Sequence, residues 1–368
     1  MGADVSNIPG MGRNVFWAAH YIFADVDWLT LDDRIYYALV TIQQIYLPIL
    51  AIVAVPVNIV TIAILSRGKC GLSKVVTHYL VAMAAADLLV VFLDLILRQI
   101  PVVYWKYFRF LFSLRMCNIQ AAMIYAATDC SVWFTVAFTF DRCVAICYQR
   151  LKNKYCTERM AAVVLGTVTA VSCSKNIFWY FILTGMYFFA DNPRFCGTRN
   201  SFQGSSVWRI IAILHYLLTP VVPFVLVLLL NAVTIRHILV ASRARKRLRV
   251  LGIGETPSDP ELESRRKSVI LLLAISGNFI SLWALLAVNF IWVKLYQLVR
   301  GTTFPPYSMQ EVAYMLQLLS CCTNTALYAV TQTLFREQLK DIVKYPLTLI
   351  IKHTQFQPDP SNPLPCSA

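Results

Sequence analysis

The chain has 368 residues, of which 58% are hydrophobic and only 14% are charged, whereas a soluble globular domain has roughly 25% charged residues. This composition excludes an ordinary soluble domain and favours a protein that sits in a lipid bilayer. The net charge of +14 would suit a nucleic-acid partner, but lysine and arginine also crowd the cytoplasmic loops of membrane proteins. The placement of the basic residues therefore decides between the two.

A helix needs about 20 mostly apolar residues to cross a bilayer, and the chain contains seven such segments. They are centred on residues 43–66, 77–100, 117–147, 160–189, 207–239, 268–293 and 311–333. The sequence therefore predicts an all-α membrane protein, a bundle of seven transmembrane helices. It divides the chain into an N-terminal segment (1–42), the seven-helix domain (43–333) and a C-terminal segment (334–368).

The basic residues concentrate in three connections, 67–76, 148–159 and 240–267. Loops of this kind face the cytoplasm, so we expect the N-terminus outside and the lipid bilayer, not a nucleic acid, as the partner of this charge. The third connection has glycines and prolines after its basic residues, which predicts a mobile linker. Helix six would then begin at Arg265 and Arg266.

Beyond the seventh helix, the segment 335–345 places Phe335, Leu339, Ile342 and Val343 on one face and its basic residues elsewhere. That pattern is typical of a short amphipathic helix that lies on the membrane surface. The proline-rich tail that follows it is predicted to be disordered.

Charged side chains inside membrane helices are costly and usually mark functional sites. Here they are Asp87, Asp94, Arg98, Asp129, Asp141, Arg142 and Lys175. Asp141 and Arg142 lie at the cytoplasmic end of the third helix, where the acid can hold the guanidinium until a partner competes for it; the alternative is an ordinary ion pair at a helix end. With no acid at the start of helix six, Asp141 would be the main restraint on Arg142. No partner for Asp129 is evident in the sequence.

Asp87 lies deep in the second helix, where an unpaired carboxylate needs a cation, water or hydroxyl groups as partners. Ser131, Ser320 and Asn324 could supply oxygen atoms beside it, and hard cations prefer oxygen ligands. The sequence thus predicts either a small sodium site or a water-filled polar network without an ion.

Several residues stand at characteristic spacings through the seven segments. Cys117 precedes Arg142 by twenty-five residues, and Phe279 lies one turn before Trp283. The others are Asn58, the L-x-x-x-A-x-x-D that ends at Asp87, the F-D-R-C at 140–143, Pro223, and the N-T-A-L-Y at 324–328 with Phe335 and Arg336 beyond it. Together they resemble the landmarks of the rhodopsin-like (class A) G-protein-coupled receptors across the whole membrane region.

This resemblance implies a receptor, not an enzyme, that carries an extracellular small-molecule or peptide signal to a heterotrimeric G protein. It implies a plasma-membrane location with the N-terminus extracellular, and a switch formed by Asp141, Arg142, Asn324 and Tyr328. No cofactor is expected apart from a bound sodium ion. The segments 131–135, 178–181 and 282–284, with His215, are similar to one orphan branch linked with aromatic amino acids and peptides. Ile124 and Leu286 stand where that branch has an acidic and a basic residue, so the amino-acid ligand does not carry over.

Other positions depart from the family pattern. The usual D-R-Y ends in Cys143, Leu285 and Thr325 replace the prolines of helices six and seven, and Asn231 replaces a common tyrosine of helix five. Because proline bends a helix, we expect helices six and seven to be straighter than usual. A receptor that no longer signals is the alternative that these departures leave open.

The expected ligand cavity opens outward between helices three, five, six and seven. Its predicted lining is Ile124, Tyr125, Thr128, His215, Trp283 and Asn289, with Asp94 and Arg98 from helix two. Arg98 follows Asp94 by four residues, so the two can pair on one helical face, which we favour over an anchor for an anionic ligand. His215 has the alternative of a satisfied core histidine. The aromatic stripe between Phe178 and Phe189 is predicted to form a belt at the outer membrane interface.

Cys117 and Cys196 are the only cysteines placed outside, where the environment is oxidising, and we expect a disulfide bond between them. A seven-helix transporter or proton pump is the main rival, but such proteins more often show repeats or broken helices at matching positions. An intramembrane enzyme is disfavoured because the five histidines are dispersed and fit no metal triad.

Overall fold

The computed structural model describes residues 31–104, 107–108, 117–185, 188–189, 192–193, 196–198, 206–250, 260–300, 307–342 and 344. Its long helices are α1 (Leu31–Ser66), α2 (Lys74–Val103), α3 (Cys117–Cys147), α4 (Glu158–Ile182), α5 (residues 206–250), α6 (Pro260–Arg300) and α7 (Tyr307–Thr331). A short helix, Gln149–Tyr155, joins α3 to α4. The predicted bundle of seven helices is confirmed.

The bundle exposes large apolar side chains on its outside and buries several polar side chains among its apolar core residues. Within the described residues, six helices are long and apolar enough to cross a membrane, and α7 completes the set. Large apolar side chains such as Ile52 (74% exposed), Trp292 (58%) and Val330 (77%) point outward, while Asn58 and Asp87 are buried. Lipid explains both facts, because hydrocarbon solvates apolar surface and forces polar groups to find partners inside the protein.

Helix α3 is the central helix, since it contacts α2, α4, α5 and α6. The core around the C-terminal half of α3 brings Phe138 together with Leu272 and Tyr328. A second core joins α1, α2, α3 and α7 and contains Val90, Ile124 and Leu318. Residues on the successive turns of α3 therefore face different neighbours, which lets one helix touch several sites.

Helix α7 is tied to α1 by side chains. Asn58 Nδ2 donates hydrogen bonds of 2.9 Å to the carbonyl oxygens of Ala54 and Cys321. The hydroxyl oxygens of Thr61 and Thr325 lie 2.5 Å apart. Thr325 stands where a proline was expected, and both α6 and α7 run as uninterrupted α-helices without an internal proline, as that loss predicts.

Helices α2 and α5 contain irregular turns instead. Residues Val91–Gln99 of α2 and Leu217–Val221 of α5 form π-helical segments, and Thr219 has non-helical dihedrals (φ −147°, ψ 77°) beside Pro220. Such π-bulges are frequent at functional sites. Both segments lie in the outer halves of their helices, around the predicted ligand cavity.

The outer end of α4 differs from the prediction. We expected helix to residue 189, but α4 ends at Ile182 and four short strands follow: β1 (Leu183–Gly185), β2 (Phe188–Phe189), β3 (Asn192–Pro193) and β4 (Cys196–Thr198). Strand β1 pairs antiparallel with β4, and β2 with β3. A short apolar run does not distinguish helix from strand, and its aromatic residues suit a strand.

The predicted linker 240–267 is largely helical. Helix α5 continues to Val250 and α6 begins at Pro260, while residues 251–259 lie outside the described part. The basic cluster 243–249 thus belongs to a helix rather than to a mobile loop. The expected start of helix six at Arg265 and Arg266 is also wrong, and the first turn of α6 includes Glu261 and Glu263. The prediction, based on hydropathy, ended each helix where its sequence becomes polar, although the helical backbone continues beyond that point.

The predicted amphipathic helix is confirmed as α8, residues 333–342. Phe335 is buried and its ring packs edge-on against Tyr328 at 5.8 Å, with Leu339 and Ile342 against the same core. Val343 and the proline-rich tail fall outside the described residues. At the other end α1 begins at Leu31, so it takes in residues 31–42 of the predicted N-terminal segment.

Candidate functional site

Three rings from three helices meet in the outer half of the bundle. The ring centroids of Tyr125 (α3) and Trp179 (α4) are 4.7 Å apart, and His215 (α5) lies 4.9 Å from each. We call this triad the ring layer. Such distances are those of favourable aromatic pairs, so each ring fixes the other two.

Trp179 corrects the prediction of an interface belt. It is only 3% exposed and belongs to the ring layer, whereas Tyr180 (43%) and Phe181 (58%) are exposed as a belt requires. Four consecutive aromatic residues on a helix cannot all face lipid, because successive side chains are about 100° apart on a helix. This periodicity was the signal that could have placed one of the four inside.

Several buried polar atoms in this half of the bundle lack partners. Among the described residues, no hydrogen bond reaches His215 Nδ1 of the ring layer, Asn176 Oδ1 below it or Asn289 Oδ1 on α6, so one ring nitrogen of His215 is not satisfied by the protein. His215 and Asn289 each directly precede one member of a stacked pair, Tyr216 and Phe290, with centroids 4.9 Å apart between α5 and α6. Buried polar atoms without partners are costly, and a bound molecule can remove that cost.

The other predicted lining residues are divided between two sides of α3. Trp283 stacks on Phe279 at 5.3 Å, and its Nε1 donates to Ser320 Oγ at 3.1 Å. Ile124 instead packs into the core shared with α1, α2 and α7, and Thr128 is half-buried. The structure therefore brings Tyr125 and His215 together and leaves Ile124 on the opposite side.

The predicted pairing of Asp94 and Arg98 is confirmed. Arg98 donates through Nε at 2.6 Å and through Nη2 at 2.5 Å to Asp94 Oδ1. The Asp94 side chain is buried and that of Arg98 is 33% exposed. The acid thus neutralises the base within one helix.

Asp129 has the partners that the sequence did not reveal. Lys175 Nζ lies 2.7 Å from Asp129 Oδ2, and both Asn176 Nδ2 and the Thr219 hydroxyl donate to the same carboxylate. Lys175 Nζ also donates to Thr219 Oγ1 at 3.2 Å. We call these four residues the Asp129 network. It joins α3, α4 and α5 directly below the ring layer. Its trace in the sequence was a second charge within a membrane segment, Lys175, whose side chain is 22% exposed.

Three of the four residues of the predicted sodium site meet in the structure. Ser131 Oγ donates to Asp87 Oδ1 at 2.5 Å, and Asn324 Nδ2 donates to Asp87 Oδ2 at 2.8 Å. Ser320 is engaged elsewhere, because it donates to the carbonyl of Gln317 at 2.6 Å and accepts from Trp283. Helices α2, α3 and α7 are thereby linked through one carboxylate.

At the end of α3 that is predicted to face the cytoplasm, Arg142 is held by its neighbour Asp141. Its Nε donates to Asp141 Oδ2 at 2.9 Å, its Nη2 contacts the same oxygen, and both residues are buried. Cys156 donates to the carbonyl oxygen of Asp141 at 3.5 Å. Burial, followed by the negative charge of Asp141, raises the pKa of Cys156 to about 11, so this thiol stays protonated at neutral pH. The Tyr328 hydroxyl is buried without a partner among the described residues.

Comparison with known proteins identifies the architecture. Residues 57–328 match the family described as 7 transmembrane receptor (rhodopsin family). The chain belongs to this family of receptors. It is 26% identical to Probable G-protein coupled receptor 142 of Mus musculus over 82% of this chain and 73% of that protein. It is 24% identical to Cysteinyl leukotriene receptor 1 of Cavia porcellus over 73% of this chain and 75% of that protein.

The chain is therefore a G-protein-coupled receptor of the rhodopsin family, a multi-pass membrane protein and not an enzyme. The rival interpretation as a transporter gains no support from these matches. The receptor's Cys117 is disulfide-bonded, and eight other cysteines of the described residues are free thiols. The expected partner Cys196 begins β4, which contacts α3; its side chain lies outside the described part, so the pairing remains a prediction.

Proposed function

We propose that this receptor sits in the plasma membrane with its N-terminus outside and binds a small molecule or peptide between the ring layer and α6. The single observation that carries the proposal is the pair of buried atoms without partners, His215 Nδ1 and Asn289 Oδ1. Ligand sites are mostly apolar with a few placed polar groups. Aromatic rings with two polar atoms that lack hydrogen-bond partners fit that description. One relative is named as a receptor for cysteinyl leukotrienes.

The same site limits the chemistry of the ligand. Asp94 neutralises Arg98 and Asp129 neutralises Lys175, so the two buried acids of this region that the structure describes and their two partly exposed basic partners are already paired. A ligand that gains most from the region presents an aromatic or aliphatic body to the rings and hydrogen-bonding groups to His215 and Asn289. Arg98, which is 33% exposed, is the described charge best placed to meet a polar group at the entrance.

The first prediction is that His215→Phe and Asn289→Leu each weaken an agonist. Loss of one hydrogen bond removes about 0.5–1.5 kcal/mol, which corresponds to a roughly 2- to 12-fold lower affinity. The measurement is the agonist dose that half-saturates nucleotide exchange, with a hit from a screen read through calcium, cyclic AMP and arrestin. Val288→Leu, on the lipid-facing side next to Asn289, is the control. Unchanged affinity in both variants would place the ligand elsewhere.

We also propose that Asp87 and Ser131 hold a sodium ion in the resting state. Asp87 accepts hydrogen bonds from Ser131 and Asn324 and has the thiol of Cys321 as a third partner, whereas a carboxylate has about four acceptor positions, so a position for a cation remains. Asn324 presents its amide nitrogen to Asp87 and Ser320 is bonded to its own helix. Of the predicted set, the two residues that fit as ligands are therefore Asp87 and Ser131. A polar network without an ion is the other outcome of the test.

A second prediction follows for the dependence of agonist affinity on sodium. If sodium binds only the closed state, it lowers agonist affinity by its differential affinity for that state. Asp87→Asn keeps the shape of the side chain but removes its charge, and should abolish the difference between sodium and choline buffers in agonist competition. A sodium effect of the same size in the variant would refute the site, and Ser281→Ala, an exposed hydroxyl of α6, serves as the control.

A further inference from the structure

The Asp129 network and the ring layer are in register on three helices. Tyr125 precedes Asp129 by four residues on α3, and His215 precedes Thr219 by four on α5. On α4, which runs in the opposite direction, Trp179 follows Lys175 by four. Because four residues make about one turn, every helix that gives a polar side chain to the network gives a ring one turn further out.

Two of these three helices are irregular at this level. Thr219 has non-helical dihedrals within α5. In α4 the backbone hydrogen bonds around Ile177 tighten from i→i+4 to i→i+3, although Ile177 itself keeps helical dihedrals (φ −57°, ψ −36°). A regular helix fixes the direction of the next turn through its backbone hydrogen bonds, and these local departures weaken that constraint. A contact between the helices can therefore help to set where His215 and Trp179 point.

The Asp129 carboxylate supplies that contact. It accepts from Asn176 directly before Ile177 in α4 and from Thr219 at the irregular position of α5. Its charge is balanced by Lys175 at 2.7 Å, and its side chain is 1% exposed, so little water competes for these bonds. A buried ion pair with additional hydrogen bonds favours one arrangement of its neighbours over others.

We propose that Asp129, Lys175 and Thr219 are positioning residues, which set the geometry of the ring layer without touching the ligand. The inference rests on the proposed ligand site for its functional meaning, whereas the experiment that tests it requires no ligand. Loss of Lys175 leaves a buried carboxylate without its counter-charge, and loss of the Thr219 hydroxyl frees α5 from α3. Either change should let the rings drift apart.

An engineered zinc site can measure the spacing of the rings without any ligand. Tyr125→His places a second imidazole next to the native His215, whose ring centroid lies 4.9 Å from that of Tyr125. Zinc requires nitrogen ligands within about 0.2 Å of the ideal distance, so its affinity reports small displacements. The measurement is the zinc-dependent rise in the thermal midpoint of the full-length receptor carrying Tyr125→His, since a ligand of the folded state stabilises it by mass action.

Thr219→Val and Lys175→Met, each added to Tyr125→His, should lower zinc affinity by about tenfold, which corresponds to a loss of about 1.4 kcal/mol of binding free energy. Thr219→Ser keeps the hydroxyl and should leave the affinity within about twofold of the starting value, on the same scale. Thr169→Val removes an exposed hydroxyl of α4 that donates to the carbonyl oxygen of Leu165 and takes no part in the Asp129 network, and it is the matched control. Unchanged zinc affinity in both Thr219→Val and Lys175→Met would overturn the proposal.

Absence of zinc binding by Tyr125→His itself would also count against the proposal, because the rings would then not lie as the network is said to place them. Failure of the ligand site is a separate result. It would show as normal agonist affinity in His215→Phe and Asn289→Leu, whatever the zinc titrations give. Zinc titration therefore tests the positioning role even if the agonist binds elsewhere.

Discussion

Arg142→Ala should abolish coupling to the G protein while surface expression and agonist binding stay close to those of the unchanged receptor. Arg142 is a single buried guanidinium at the inner end of the central helix α3, and Asp141 is its described restraint. Truncation of a desolvated charge at the centre of an interface costs about 2–5 kcal/mol or more, which lowers affinity at least about 30-fold. The measurement is agonist-stimulated nucleotide exchange on a purified heterotrimeric G protein.

The basic cluster on the extension of α5 is the matched comparison. Arg245, Lys246 and Arg247 lie in the last turns of a helix that runs to Val250, and replacement of all three by Gln should weaken coupling only in part. A charge at the rim of an interface mainly changes the association rate and its dependence on salt. If the triple variant lost coupling and Arg142→Ala kept it, the interface would lie on α5 rather than at the end of α3.

Cys117→Ala should lower the free energy of unfolding by about 2–5 kcal/mol, the usual cost of removing a native disulfide from a small domain, and reduce the amount of receptor at the cell surface. Cys117 is the first residue of α3 and is disulfide-bonded. If its partner is Cys196, the bond fastens β4, and through its pairing the strand β1, to the top of the central helix. Thermal unfolding in detergent and surface labelling measure the two effects.

Cys196→Ala should have the same effect, and the double variant should be no worse than either single change, because one bond is lost in all three. Cys173→Ala is the control, since Cys173 is an exposed free thiol on α4. Equal surface expression of Cys117→Ala and the unchanged receptor, with Cys117 and Cys196 both alkylated in protein that was never reduced, would contradict the bond.

The seven helices could be predicted because the bilayer sets their length and composition, and a stretch of about 20 apolar residues is typical of a helix that crosses it. The pairing of Asp94 with Arg98 could be predicted for a similar reason. Residues four apart on one helix are neighbours whatever the rest of the fold does. Both inferences need only local sequence and a periodicity.

The Asp129 network could not be predicted in the same way. Its members come from α3, α4 and α5, and their meeting depends on how those helices pack and on the irregular turn at Thr219. A single sequence contains no measure of either. The sequence shows Lys175 as a charge within a membrane helix, but only the packing shows that it pairs with Asp129.

Helix ends were the other failure, because hydropathy reports where lipid ends and not where a backbone stops being helical. Helix α6 begins at Pro260, within the polar stretch 240–267 that was predicted to be a linker. Helix α4 stops at Ile182 although its sequence remains apolar beyond that point. In both places the prediction was based on hydropathy, whereas the observed helix ends where its backbone hydrogen bonds end.

Helix α7 is expected to move as one rigid helix, because Thr325, whose hydroxyl contacts Thr61 of α1, stands where a proline would bend it. A proline at 325 would supply a ready-made joint about which the inner end could swing alone. An unbroken helix instead carries a displacement along its whole length, from Tyr328 beside α8 to Glu311, which accepts a hydrogen bond of 2.7 Å from Gln43 of α1. Binding of a partner at the inner end should then change the affinity for a ligand at the outer end. Binding of the ligand should change the affinity for the partner by the same factor.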